Sequence, residues 1–176
     1  MNLRLKRTPG IYLVGFMGSG KSTVGRMLAA RIGWPFFDLD EEIEARERTA
    51  IADIFATCGE TEFRRIEAAA LERHVRAVES GRPAVMALGG GAFVARANRD
   101  LLLQNGVTIW LDCPLPIVER RVRQATHRPL ARDPEQFAAL YQARRDVYRL
   151  AEIHLQVESD DPSIAVDQIL AHPLMK

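Results

Sequence analysis

Short apolar runs alternate with longer stretches of helical periodicity along almost the whole chain, and this alternation limits the fold more than any other feature. Residues 11–14, 35–40, 84–88, 107–111 and 153–157 read as strands. They are nearly continuous in apolar side chains, so both faces of the sheet they form are buried, which is the pattern of a parallel sheet covered by helices. Helices are expected over 21–32, where Val24, Leu28 and Ile32 share a face and Gly33 ends the run, and over 41–48, 51–57 and 60–79, punctuated by Gly59 and Gly81. Further helices are expected over about 95–104, from Pro116 onward, from the cap Asp133 with Pro134 behind it to about 151, and from Asp161-Pro162. The stretch 125–132 has no apolar periodicity and reads as a loop. With 176 residues and no repeat or linker, the chain is expected to be one α/β domain spanning 1–176. Ligands of such sheets bind beyond the carboxyl ends of the strands.

The first strand runs into Gly15-Phe16-Met17-Gly18-Ser19-Gly20-Lys21-Ser22, which satisfies G-x-x-x-x-G-K-[ST] between a strand and a helix. In that context Gly18, Ser19, Gly20, Lys21, Ser22 and Thr23 are candidates to hold a nucleoside triphosphate. Backbone N–H groups at the helix N-terminus surround the phosphates, Lys21 reaches their outer oxygens, and the Ser22 hydroxyl ligates Mg²⁺. The second strand ends in Asp38 and Asp40. If both lie on the strand they project from one face into one space, one suited to the magnesium shell and one to a substrate hydroxyl. Asp40 is also a candidate cap for a helix starting at Glu41.

A net charge of +1 gives no reason to expect nucleic acid or an anionic membrane as partner, while 24 Lys and Arg residues suit a site that grips small anions. Cys58 and Cys113 have neither metal-ligand nor disulfide spacing and read as half-buried thiols of a reducing, cytoplasmic compartment. His74, His127, His154 and His172 share no spacing that suits a metal or a triad. The basic N-terminus leads into no apolar stretch, so neither a signal peptide nor an anchor is expected, and no run approaches the roughly 20 apolar residues that span a bilayer. A monomer is expected.

Over about 11–170 the chain resembles shikimate kinase. The resemblance is carried by GFMGSGKSTVGR (15–26), FFDLDEEIE (36–44), IADIFATCGETEFRRIE (51–67), LGGGAF (88–93), RPLA (128–131) and the Arg144…Tyr148 pair. A phosphate loop alone names a superfamily, but these motifs in this order point to one family within it. The resemblance implies the three-layer P-loop NTPase fold, similar to nucleoside monophosphate kinases, with a mobile lid over about 125–134 and a substrate-binding helical region over about 40–80. It implies transfer of the γ-phosphoryl group of MgATP to the 3-hydroxyl of shikimate.

By resemblance, Asp40 holds the shikimate hydroxyls and can take the proton of the attacking one, and Asp38 stands in the magnesium sphere with Ser22. Arg64 pairs with the shikimate carboxylate, and Gly89, Gly90 and Gly91 bring backbone N–H groups to the substrate. Arg128 is the lid arginine over the phosphates, and Arg121 packs on adenine. Lys21, Asp40 and Arg128 form the catalytic set. The second carboxylate ligand falls at Arg144, but the family pattern R-x-P-L-Y here reads Arg144-Arg145-Asp146-Val147-Tyr148, so Arg145 is a second candidate. Where some members carry arginines after the last strand, this chain has Glu158-Ser159-Asp160-Asp161, leaving adenine to Arg121 and backbone groups. Two rivals are a gluconate or nucleoside monophosphate kinase and a non-catalytic binding module of the same fold. The paired arginines and the intact Lys21, Asp38 and Asp40 argue against both.

Overall fold

The computed structural model describes residues 10–124 and 133–175. Strands β1 (Gly10–Val14), β2 (Phe36–Asp38), β3 (Ala84–Ala87), β4 (Val107–Asp112) and β5 (Ile153–Gln156) lie side by side in the order β2-β3-β1-β4-β5, every neighbouring pair parallel. Every residue of β1, β3 and β4 is buried, as their unbroken apolar runs require. From β1 the chain moves outward to β2, returns through β3, and then crosses β1 to β4 and β5. The carboxyl end of β1 is therefore the point where the strand order reverses, and the crevice that forms there is where α/β sheets bind ligands.

The helices are α1 (Lys21–Ile32), α2 (Leu39–Glu47), α3 (Ile51–Glu79), α4 (Arg96–Gln104), α5 (Leu115–Gln124), α6 (Pro134–Tyr148) and α7 (Pro162–Ala171), with a last 3₁₀ turn at Pro173–Met175. Helix α1 packs on α7 and β3, and α6 buries Phe137, Tyr141 and Tyr148. The starts of α6 and α7 form as their sequences require: Asp133 accepts from the N–H groups of Glu135 and Gln136, Asp161 accepts from that of Ser163, and a proline follows each cap.

Three expectations about the elements need correction. The two helices expected over 51–57 and 60–79 run on as α3, broken only at Gly59, where φ 80° and ψ 172° leave the helical region. The second strand stops at Asp38, so Asp40 lies in the first turn of α2 and not on a strand. The cap of α2 is Asp38, whose Oδ1 accepts from the N–H groups of Asp40 (3.1 Å) and Glu41 (3.4 Å). The chain turns helical two residues early because this carboxylate satisfies donors that a helix start leaves open.

The loop expected over 125–132, with Arg128 and most of the expected lid, lies outside the described residues. Among the described residues no helix is long and apolar enough to cross a membrane. Both cysteines are free, and neither is half-buried as expected: Cys113 is buried and Cys58 is exposed.

Candidate active site

The loop from Gly15 to Gly20 wraps the N-terminus of α1, with Gly18 at φ 78° and Gly20 at φ 94°. Glycine adopts these left-handed positions without strain, and the loop closes into a tight turn in which the Ser19 N–H donates to the Phe16 carbonyl at 3.2 Å. The Lys21 ammonium donates to the Gly15 and Phe16 carbonyls at 2.9 Å each, so it lies over the mouth of the loop. Ser19 is buried, and among the described residues its hydroxyl is the buried side-chain oxygen that lacks a hydrogen-bond partner. An orphan of this kind inside an anion-binding loop suits an added acceptor. Thr23 is exposed in the first turn of α1.

Beside the loop, Ser22 Oγ donates to Asp38 Oδ2 at 2.5 Å. The same carboxylate therefore caps α2 with one oxygen and meets the phosphate-loop serine with the other. The described residues contain no cluster of three or more His, Cys, Asp or Glu fit for a metal. A pair of hard oxygen donors beside a phosphate cradle nonetheless suits Mg²⁺, which keeps several waters and takes its other ligands from phosphate.

Deeper in the crevice, the three glycines after β3 are ringed by charged side chains. A Cβ on Gly89 would lie 2.6 Å from Asp40 Oδ1 and 3.3 Å from Glu67 Oε1. One on Gly90 would lie 2.9 Å from Arg144 Nη1, and one on Gly91 would lie well inside van der Waals contact distance of the Arg64 guanidinium. Two carboxylates and two guanidiniums thus crowd against a backbone that tolerates no side chain. Tyr148 completes the ring by donating its hydroxyl to the Gly90 carbonyl at 2.5 Å. Burial pushes that phenol up to about 12, against the pull of Arg144 and Arg64, so at neutral pH it stays a donor.

Arg64 is held in place by acids of its own helix, donating to Glu67 Oε2 at 2.8 Å and to Glu60 Oε1 at 3.3 Å. Glu67 is only 1% exposed. Burial raises its carboxyl above the ordinary range, with Arg64 acting in the opposite sense and Asp40 adding to the rise. Glu67 belongs to the F-R-R-x-E segment, yet the sequence assigned it no role; its position three after Arg64 was the available signal. Arg65 points away and pairs with Glu62 on the surface.

Helix α6 separates the two neighbouring candidates. Arg144 faces Gly90 and lies over the Phe16 ring, 5.7 Å from its centroid. Arg145 points instead to the end of β4. Its guanidinium meets Asp112 with two parallel bonds of 2.6 and 2.8 Å, contacts the Tyr141 hydroxyl, and lies over Trp110. His154, stacked on Trp110, reaches the same carboxylate at 2.9 Å. Arg121, on α5, bridges the phosphate loop and the segment after β5 through Gly18 and Asp160.

Among known proteins, the family model for shikimate kinase matches residues 17–172. A shikimate kinase of Sulfurihydrogenibium sp. is 40% identical over 161 residues, covering 91% of this chain and 95% of that protein. One from Cereibacter sphaeroides is 43% identical over 164 residues, covering 92% and 78%. The solved structure of shikimate kinase from Acinetobacter baumannii in complex with shikimate superposes with a TM-score of 0.85 at 34% identity, over 92% of this chain and 90% of that one.

Proposed function

This chain belongs to the shikimate kinase family, and from that membership we propose that it transfers the γ-phosphoryl group of MgATP to the 3-hydroxyl of shikimate, giving shikimate 3-phosphate and ADP. The observation that carries the reading is the ring of Arg64, Arg144, Asp40 and Glu67 around Gly89, Gly90 and Gly91. Shikimate carries one carboxylate and three hydroxyls. Guanidinium forks suit the first, while carboxylates and backbone amides suit the others.

Arg64 and Arg144 hold the substrate carboxylate from two sides, and Asp40, at the start of α2, holds the hydroxyls and takes the proton of the attacking one. Glu67 keeps Arg64 turned into the crevice. On the nucleotide side, Gly18, Ser19, Gly20, Lys21, Ser22 and Thr23 surround the phosphates, and Arg121 meets the base. Ser22 and Asp38 would hold Mg²⁺, which would supply positive charge against the phosphates. Arg128, outside the described residues, is assigned to the phosphates from the lid over about 125–134. Phosphoryl transfer needs mainly positioning and charge neutralisation from the protein, and a closed lid excludes the water that would otherwise accept the phosphoryl group. We assign the chain to the cytoplasm as a monomer.

The test compares shikimate with shikimate carboxamide, which keeps the hydroxyls and loses the charge. The reading expects the carboxamide to be bound and phosphorylated far less well by the wild-type protein, and Arg64→Ala and Arg144→Ala to cost the carboxamide much less than they cost shikimate. Equal use of the two compounds would refute it.

A further inference from the structure

An arginine side chain carries five N–H donors in one plane, and in Arg121 every one is met at the edge. Nε donates to Asp160 Oδ1 at 3.2 Å, and Nη2 donates to the same oxygen at 2.8 Å and to the Ser159 carbonyl at 3.1 Å. Nη1 donates to the Gly18 carbonyl at 3.2 Å and to Cys113 Sγ at 3.6 Å. Asp160 is fixed in turn by Arg120, whose Nη2 reaches its two oxygens at 2.8 and 2.7 Å. The guanidinium plane is therefore tied on one side to the phosphate loop and on the other to the segment after β5.

With its edge used up, Arg121 keeps no donor for a phosphate and offers a ligand only its faces; its side chain is 22% exposed. A guanidinium face stacks on an aromatic ring. We propose that Asp160 is a positioning residue for the nucleotide: it holds Arg121 flat, as a stacking platform for the base, and neutralises the charge that would otherwise draw the side chain toward the triphosphate. The inference rests on the assignment of Arg121 to the nucleotide given above. It turns the acidic stretch after β5 from an obstacle to nucleotide binding into part of the nucleotide site. Asp160 need not leave when the nucleotide binds, because it occupies the edge of the guanidinium and the base takes a face. Since Arg121 offers the base no hydrogen bond, its contribution is the same for adenine and guanine.

The experiment uses the full chain and the variants Asp160→Ala, Asp160→Glu and Arg121→Ala. It measures KM for MgATP, MgGTP and shikimate by steady-state kinetics, ADP affinity by calorimetry, and thermal melting. Losing one cation–π contact at a partly exposed site corresponds to about fivefold, so Asp160→Ala should raise KM for MgATP and weaken ADP by about that factor while KM for shikimate moves less than about twofold. KM for MgGTP should rise by the same factor as that for MgATP, the melting temperature should hold, and Asp160→Glu should recover most of the loss. Unchanged or tighter ADP binding by Asp160→Ala overturns the inference, as does a change in the ATP-to-GTP ratio, which would mean that Asp160 reads the edge of the base. If Arg121→Ala weakens ADP while Asp160→Ala does not, the assignment of Arg121 stands and only the positioning role falls. If Arg121→Ala leaves ADP binding at the wild-type level, that assignment falls and the inference with it.

Discussion

Substituting the neighbours Arg144 and Arg145 should give two different failures. Arg145 neutralises Asp112, which is 6% exposed at the end of β4. Removing one partner of a buried ion pair costs about 3–5 kcal/mol, because the other charge stays in a poorly solvated place. Two features favour the low end here: His154 keeps its contact with the carboxylate, and Arg145 is itself 24% exposed, so water can reach the gap. Some stacking on Trp110 and Tyr141 is lost as well. Taking about 3 kcal/mol for Arg145→Ala, a domain of this size should melt roughly 6–12 °C lower. Arg144 packs against Gly90 and Phe16 and acts on buried Glu67 only as a secondary charge, the direct partner of that carboxylate being Arg64, so Arg144→Ala should melt within about 3 °C of wild type. Its loss should appear in binding: truncating one partner of a charge-assisted pair costs about 2 kcal/mol or more, so shikimate should bind at least about thirtyfold more weakly. The assay is thermal melting of both variants beside a shikimate titration. If Arg145→Ala melts like wild type and abolishes shikimate binding while Arg144→Ala binds normally, the carboxylate ligand has been placed one residue off and the reasoning fails.

Asp40→Asn keeps the shape of the side chain and loses its ability to take a proton, so turnover should fall by about 10² or more with shikimate affinity altered much less; a loss confined to affinity would limit Asp40 to orienting the hydroxyl. Lys21→Met should cut turnover far beyond about tenfold, a barrier change of roughly 1.4 kcal/mol, without lowering the melting temperature, and activity within that factor would remove Lys21 from the catalytic set. For Glu67→Gln the two readouts should part. Burial lifts the Glu67 carboxyl above its ordinary range, so the folded state binds that proton more tightly than the unfolded chain does, and the ionised form costs stability once pH rises through that window. The amide removes this cost, so melting at neutral pH should hold or rise, while KM for shikimate should increase several-fold because Arg64 loses its charged partner; a lower melting point with an unchanged KM would refute this.

The sheet and the phosphate loop were legible because each rests on a local pattern: unbroken apolar runs, and a glycine-rich turn between a strand and a helix. The geometry of Asp38 and Asp40 was not. Their spacing fits a strand face, but Asp38 captures the N–H groups of Asp40 and Glu41 and starts the helix early, so Asp40 reaches Gly89 from a helical turn. Arg144 and Arg145 were inseparable for a similar reason. Neighbours on a helix point about 100° apart, and only the placement of α6 against β4 decides which one meets the glycines. Glu67 stands three after Arg64, which hints at a pair, but Glu60 and Glu62 also lie at helical spacing from an arginine, and only the packing of α3 decides which glutamate is turned inward. Asp160 and Arg121 are 39 residues apart and meet only because the segment after β5 comes back beside α5.

The most direct test of the whole account is ADP release by the purified protein with MgATP, measured with and without shikimate and compared with gluconate and nucleoside monophosphates as acceptors. The account predicts rapid ADP release that depends on shikimate, with shikimate 3-phosphate formed in equal amount. Release that depends on gluconate or a nucleotide and ignores shikimate would contradict it.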